Sequence, residues 1–219
     1  MNLADFLKQW DESNSRFHKQ IELFDPDKTK QLIRQQQRYF AEVFYHVRAH
    51  FGDFLWVLGT RAPDKRSKQL ILENYAEEFG GDGPSHERLY LDFAQELGAD
   101  VTRADSYLPF MQDYNATHVN FLRTHDWETC MIAFSAYERL DNLDYKDLER
   151  VIKSFGLSGK ALTFFQVHKH VQHFQMVSRD LQAYWDKDSK KVEYGFTFIG
   201  DHQNWMWKNL SDTVFAFQG

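Results

Sequence analysis

Phe164-Phe165-Gln166-Val167-His168-Lys169-His170-Val171-Gln172-His173-Phe174-Gln175 is the stretch on which the fold turns. It holds no glycine or proline, and it predicts the middle of one long helix over residues 158–184. At about 100° per residue, His168, Gln172 and Gln175 fall on one narrow face. His170 and His173, three residues apart, fall on roughly the opposite face. On an apolar helix with two polar faces, one face meets solvent and the other is either packed in the core or turned into a functional cavity. The stretch alone leaves open which face is inward.

The chain around it reads as helix almost throughout. Glycine and proline are scarce, and no alternating strand pattern with hairpin signals recurs. Helices are predicted over 3–24, 28–61, 65–79, 86–98, 103–124, 127–143, 145–155 and 201–216, with an irregular stretch over 187–200. Asp25-Pro26-Asp27 and Ala62-Pro63-Asp64 are breaks, and Gly52 is a possible bend. Gly80-Gly81-Asp82-Gly83-Pro84-Ser85 is the strongest turn signal, with Ser85 placed to cap the helix that begins at His86. No repeat and no shift in composition marks a linker. The expectation is one all-α helical bundle filling residues 1–219 as a single domain.

Composition narrows the function. The 219 residues are 42% apolar and include 20 Phe, which suits a thick aromatic interior or an apolar pocket. The net charge is −6 and the basic residues are scattered, so no nucleic-acid footprint is present. No apolar run approaches membrane-spanning length, and the N-terminus lacks a signal-peptide pattern. The lone Cys130 excludes an internal disulfide framework. A cytoplasmic protein acting on a small molecule, with no membrane or nucleic-acid partner, is the expectation.

Bundles build metal sites from carboxylates and histidines on different helices that all face inward. Four residues qualify. Glu78 ends an apolar-faced helix, His86 stands across the glycine turn, Glu138 is embedded in Met131-Ile132-Ala133-Phe134-Ser135-Ala136-Tyr137, and His168 follows Phe164-Phe165. Singly, each has an ordinary explanation. A helix-terminal Glu is usually solvated and a core histidine is usually just packed. Glu138 stands out, because a carboxylate deep in an apolar run needs a partner. Cys130, two turns before Glu138, is a further candidate only if a basic neighbour activates it.

Five segments in order resemble successive landmarks of the heme-oxygenase-like, iron-containing oxidases, the group that includes the chlamydial CADD-type protein and shares its fold with TenA and PqqC. They are Tyr45-His46-Val47-Arg48-Ala49-His50-Phe51, Leu72-Glu73-Asn74-Tyr75-Ala76-Glu77-Glu78, Ser85-His86-Glu87-Arg88-Leu89-Tyr90, Ala136-Tyr137-Glu138 and Phe164-Phe165-Gln166-Val167-His168. The resemblance implies a bundle of about seven core helices around an oxygen-activating metal site, often in a homodimer. It places metal ligands at Glu78 (with Glu77 as the alternative), His86, Glu138 and His168. It also places Gln172 and Gln175 where the family has an Asp and a His that complete a second iron position.

Glutamine is a poor iron ligand beside carboxylate or imidazole. The expectation is therefore one Fe(II) per chain, with O2 as co-substrate; two ions, or none, are the alternatives. Tyr137, Gln172 and Gln175 are the candidates for side chains that line the reacting centre. A register in which His170 and His173 replace His168 is the competing arrangement. The resemblance also points to a self-modifying reaction that needs a lysine, but that position falls on Leu148. A non-catalytic or metal-free member of the same fold, binding a small molecule or a partner, is the rival function.

Overall fold

Asparagine, aspartate or serine side chains cap five of the longer helices, each accepting from a backbone N–H of the first turn: Asn2, Asp64, Ser85, Asp126 and Asp188. In the computed structural model the described residues are 1–81, 83–170 and 173–219, with the backbone alone described at 169, 170, 173 and 176. The helices in order are α1 (Leu3–His18), α2 (Pro26–Thr29), α3 (Arg34–Ala49), α4 (Phe51–Arg61), α5 (Lys65–Glu78) and α6 (His86–Leu97). They continue as α7 (Pro109–Thr124), α8 (Trp127–Ser154), α9 (Thr163–His170), α10 (His173–Val177), α11 (Leu181–Lys187) and α12 (Ser189–Ala216). No strand occurs among the described residues.

Several boundaries depart from expectation, each for a physical reason. Helix α8 runs unbroken where two helices were predicted. Asp144, which reads as a boundary, is buried and accepts from Trp207 Nε1 at 2.9 Å. Helix α12 likewise starts at Ser189, and the stretch over 187–200 is not irregular. Asp188 caps it, accepting from the amides of Lys190 and Lys191. Gly195 and Gly200 are contact points rather than breakers, since a Cβ at Gly195 would lie 2.6 Å from Ile132 Cγ2 and one at Gly200 3.2 Å from Trp10 Nε1.

The single long helix expected over 158–184 is not formed either. Residues 159–162 are a 3-10 turn and 178–180 are a turn between α10 and α11. The expected 28–61 helix is broken over residues 30–33 and again at residue 50, and α7 begins at Pro109, whose fixed φ suits the first helical position.

Two apolar clusters form the interior. One gathers α3, α6, the start of α9 and the C-terminal halves of α8 and α12. The other gathers α4, the start of α1 and the N-terminal halves of α8 and α12. Helices α8 and α12 therefore run through both. The polar residues described next sit on the seam, with Tyr145 and Phe164 on one side and Phe51 and Tyr137 on the other.

Candidate metal centre

Glu78 is the last residue of α5 and His86 the first of α6. Gly80 lets the chain double back between them. Its φ is 101°, and a Cβ there would stand 2.5 Å from Gly83 O and 2.6 Å from Ser85 N, so only glycine fits. Ser85 then opens α6 by accepting from Arg88 N at 3.1 Å. The result joins residues eight apart in sequence: His86 Nδ1 donates to Glu78 Oε1 at 3.0 Å. His168 arrives from α9. Phe164 and Phe165 anchor that helix in the first cluster, and the His168 ring stacks on Tyr145 at 4.3 Å and lies 4.4 Å from the His86 ring. Ligand atoms of Glu78, His86 and His168 all lie within 4.8 Å of one another, the one such group among the described residues. Both histidines are 7% exposed.

The hydrogen bonds of His168 determine its tautomer. Its Nδ1 lies 2.7 Å from Phe164 O. A carbonyl only accepts, so Nδ1 carries the proton and Nε2 carries the lone pair. Orientation of one ring nitrogen by a backbone carbonyl is the usual support for a metal-binding histidine. Two imidazoles and one carboxylate are also the donor set suited to non-heme Fe(II). By donor chemistry and by burial, the residues present fit iron.

A buried cation stands beside them. Arg48, at the end of α3, donates from Nη2 to His168 Nε2 at 3.1 Å and from Nη1 to the Tyr137 hydroxyl at 3.3 Å, with Asp141 Oδ2 3.7 Å from Nη1. Its guanidinium carbon lies 5.3 to 5.8 Å from the centroids of the Phe51, Tyr145 and Phe164 rings. Burial opposes its charge, yet Tyr145, Tyr137, Asp141 and Glu78 hold its pKa well above the ordinary value. Asp141 is raised, first by burial and then by the charges of Glu138, Asp144 and Glu78, with Arg48 opposing. Burial also raises the hydroxyls of Tyr137 and Tyr145 well above the ordinary value.

The other sequence candidates fall as follows. Glu77 is exposed, whereas the Glu78 side chain is 14% exposed and turned inward. Glu138 is buried on α8, near enough for its charge to act on Asp141, but outside the three-residue group. Tyr137 is buried and joined to the group through Arg48. Gln175 is exposed on α10. Gln172 and the side chains of His170 and His173 lie outside the described residues, while His168 is buried within the group.

Cys130 is fully buried, its thiol donating to Leu122 O at 3.3 Å, and burial pushes its pKa up to about 11. Leu148 is core. Arg48 and Asp141 were not among the candidates. Arg48 stands in the quoted Tyr45–Phe51 segment, and Asp141 follows Glu138 by three positions, one helical step on the same face.

A cavity of about 270 Å³ opens against this group, lined by Arg48, Glu78, His86, Tyr45, Tyr90 and Phe79 among others. Residues 38–198 match the model of a family described as iron-containing redox enzymes. The chain belongs to this family. Among the chain's curated relatives, 4-chloro-allylglycine synthase of Streptantibioticus cattleyicolor is 23% identical over 189 residues, covering 79% of this chain and 70% of the relative. The 4-aminobenzoate synthase of Chlamydia pneumoniae is 27% identical over 143 residues, covering 63% of this chain and 62% of that protein, under two thirds of its length. A solved domain of unknown function with a heme oxygenase-like fold, from Shewanella denitrificans, superposes with a TM-score of 0.75 at 14% identity, covering 98% of this chain and 92% of the other. The fold is heme-oxygenase-like and all-α. No described helix is long and apolar enough to cross a membrane.

Proposed function

We propose that this member of the family is an oxygen-dependent iron oxidase acting on a small organic substrate, with one Fe(II) held by Glu78, His86 and His168 and with Glu138 as the further carboxylate. The observation that carries this reading is the convergence of those three ligand atoms within 4.8 Å from three separate helices, with Glu78 and His86 lining a cavity. Iron in a two-histidine, one-carboxylate set supplies one-electron chemistry for oxygen activation.

The chain's own residues do the rest. Phe164 O fixes the His168 tautomer, and Glu78 orients His86 through its Nδ1–H. Tyr45, Phe79, Tyr90 and Phe164 wall the cavity and limit water around the substrate. Arg48 and Glu87 supply polar groups of both signs in the same wall. That mixture suits an apolar or amino-acid-like molecule. The relatives' names point the same way, one to an allylglycine and the other to an aminobenzoate. The reading includes a cytoplasmic setting, where a lone thiol stays reduced, and a homodimer, which light scattering would detect.

Metal content after anaerobic Fe(II) loading and desalting tests it, with His168→Ala alongside. About one iron per chain, lost in the variant, is the expected result. Near two would restore a second position despite Gln172 and Gln175. None in either protein would overturn the iron reading in favour of a metal-free small-molecule or partner-binding member, an alternative that draws on the guanidinium seated against His168.

A further inference from the structure

We infer that Arg48 is a resident cation that occupies the lone pair of His168 until metal arrives and then retracts toward Asp141. This rests on the reading of Glu78, His86 and His168 as the iron ligands.

A guanidinium only donates. Arg48 Nη2, 3.1 Å from His168 Nε2, therefore uses the Nε2 lone pair, because Nδ1–H is already committed to Phe164 O. An imidazole nitrogen has one such pair, and it is the pair a metal needs. The guanidinium and a metal ion on His168 exclude each other. They also repel as like charges, although Glu78 attracts both. Loading must move one side chain, and the surroundings of Arg48 point to where it goes. Arg48 Nη1 already points at Tyr137 Oη, 3.3 Å away, and at Asp141 Oδ2, 3.7 Å away, an oxygen that accepts whether or not the carboxyl is ionised and that a short swing brings into hydrogen-bond range. The void on that side, between Arg48, Tyr137, Asp141, Asp144 and Tyr145, is only about 10 Å³, so the movement is a short swing of the guanidinium and not a withdrawal of the whole side chain. The rings of Phe51, Tyr145 and Phe164 wall the guanidinium where it now sits, at 5.3 to 5.8 Å from their centroids.

Two arrangements follow from one set of side chains. With the guanidinium in, the buried carboxylate and histidines keep a cationic partner and the pocket stays ordered. With the guanidinium out, the lone pair is free for metal. Apparent metal affinity is the intrinsic affinity scaled by the population of the second arrangement. Arg48 is a positioning residue that sets how readily the site loads.

The test follows Co(II) affinity by its visible absorption, in competition with a chelator, for the full chain and for Arg48→Gln, Asp141→Asn and His168→Ala. In parallel, the side-chain 15N signals of Arg48 are followed as Zn(II) is added. The expected results are about tenfold or greater tightening in Arg48→Gln, several-fold weakening in Asp141→Asn, and displacement of the Arg48 signals in step with Zn(II) occupancy.

Equal or weaker binding by Arg48→Gln overturns the inference while the metal site stands. So does tightening with the Arg48 signals unmoved, which would mean charge acting through space. If Arg48→Gln does not fold, unchanged or tighter binding by Asp141→Asn overturns it. Binding by His168→Ala equal to that of the unaltered chain would instead sink the site on which the inference rests.

Discussion

Cys130 shows how far a single residue's surroundings decide its chemistry. It is fully buried, donates to Leu122 O and has its pKa pushed up to about 11. At pH 8 the thiolate is on the order of one part in a thousand. A disulfide reagent at that pH is expected to leave the native protein unlabelled and to label one thiol in denaturant. Fast native labelling would show that the thiol is accessible and activated. Residue by residue, the sequence makes the carboxylate and histidine candidates visible: Glu138 interrupts an apolar run, His168 follows Phe164-Phe165, and Glu78 and His86 flank the glycine turn. It does not show Arg48 or Asp141 as partners, because their roles depend on the Arg48 side chain reaching from α3 to Tyr137 and Asp141 on α8, and no spacing along the chain encodes that approach. The grouping of Gln172 and Gln175 with His168 assumed one helix face. The structure has Gln175 exposed, and Gln172 lies outside what it describes.

At the level of elements, polar residues and glycines mark helix ends in a sequence, but in this molecule several of them mark contacts between helices. His18, 2% exposed at the end of α1, is held between Asp147 Oδ2 at 2.8 Å and Asp144 Oδ1 at 3.1 Å of α8. Burial opposes its charge, but the two carboxylates outweigh it and raise its pKa from 6.5 to about 9. A raised folded-state pKa stabilises fully below the unfolded value and less as pH climbs through the folded one. The unfolding free energy in urea should therefore fall between pH 6.5 and pH 9.5, by at most about 3 kcal/mol, and much less in His18→Gln. His202, brought down to about 4 by burial, acts with the opposite sign: its neutral form is the folded one, so stability falls as pH drops from 6.5 through 4. The combined contribution of these two histidines is therefore greatest near pH 6.5. The glycines make a second test. Gly195→Ala must push Ile132 aside and should cost roughly 1 kcal/mol or more despite the better helix former. Gly52→Ala, whose Cβ would meet only the Tyr75 hydroxyl at 3.9 Å, should stabilise by up to about 1 kcal/mol. Equal effects in urea melts would mean that the α8–α12 approach is not tight.

Over the whole molecule, the candidate centre and the fold are coupled. Helices α8 and α12 belong to both apolar clusters, so neither cluster can come apart while these helices stay packed. We expect one cooperative unfolding transition for the chain. Glu78, His86 and His168 come from α5, α6 and α9, and Arg48 from α3. An ion bound to three of these helices favours only the state in which they are assembled, because the unfolded chain does not present the three donors together. A ligand that binds the folded form alone at about 100 times its Kd adds about 2.7 kcal/mol. For a chain of this size that corresponds to roughly 5–10 °C in Tm. Calorimetry with and without Co(II) under anaerobic conditions should show that rise, in a single transition, and His168→Ala should show little of it. A rise preserved in His168→Ala would place the ion elsewhere. Two transitions of which only one responds to the ion would mean that the clusters fold separately, and that the seam between them, where Arg48 meets His168, opens independently of the rest.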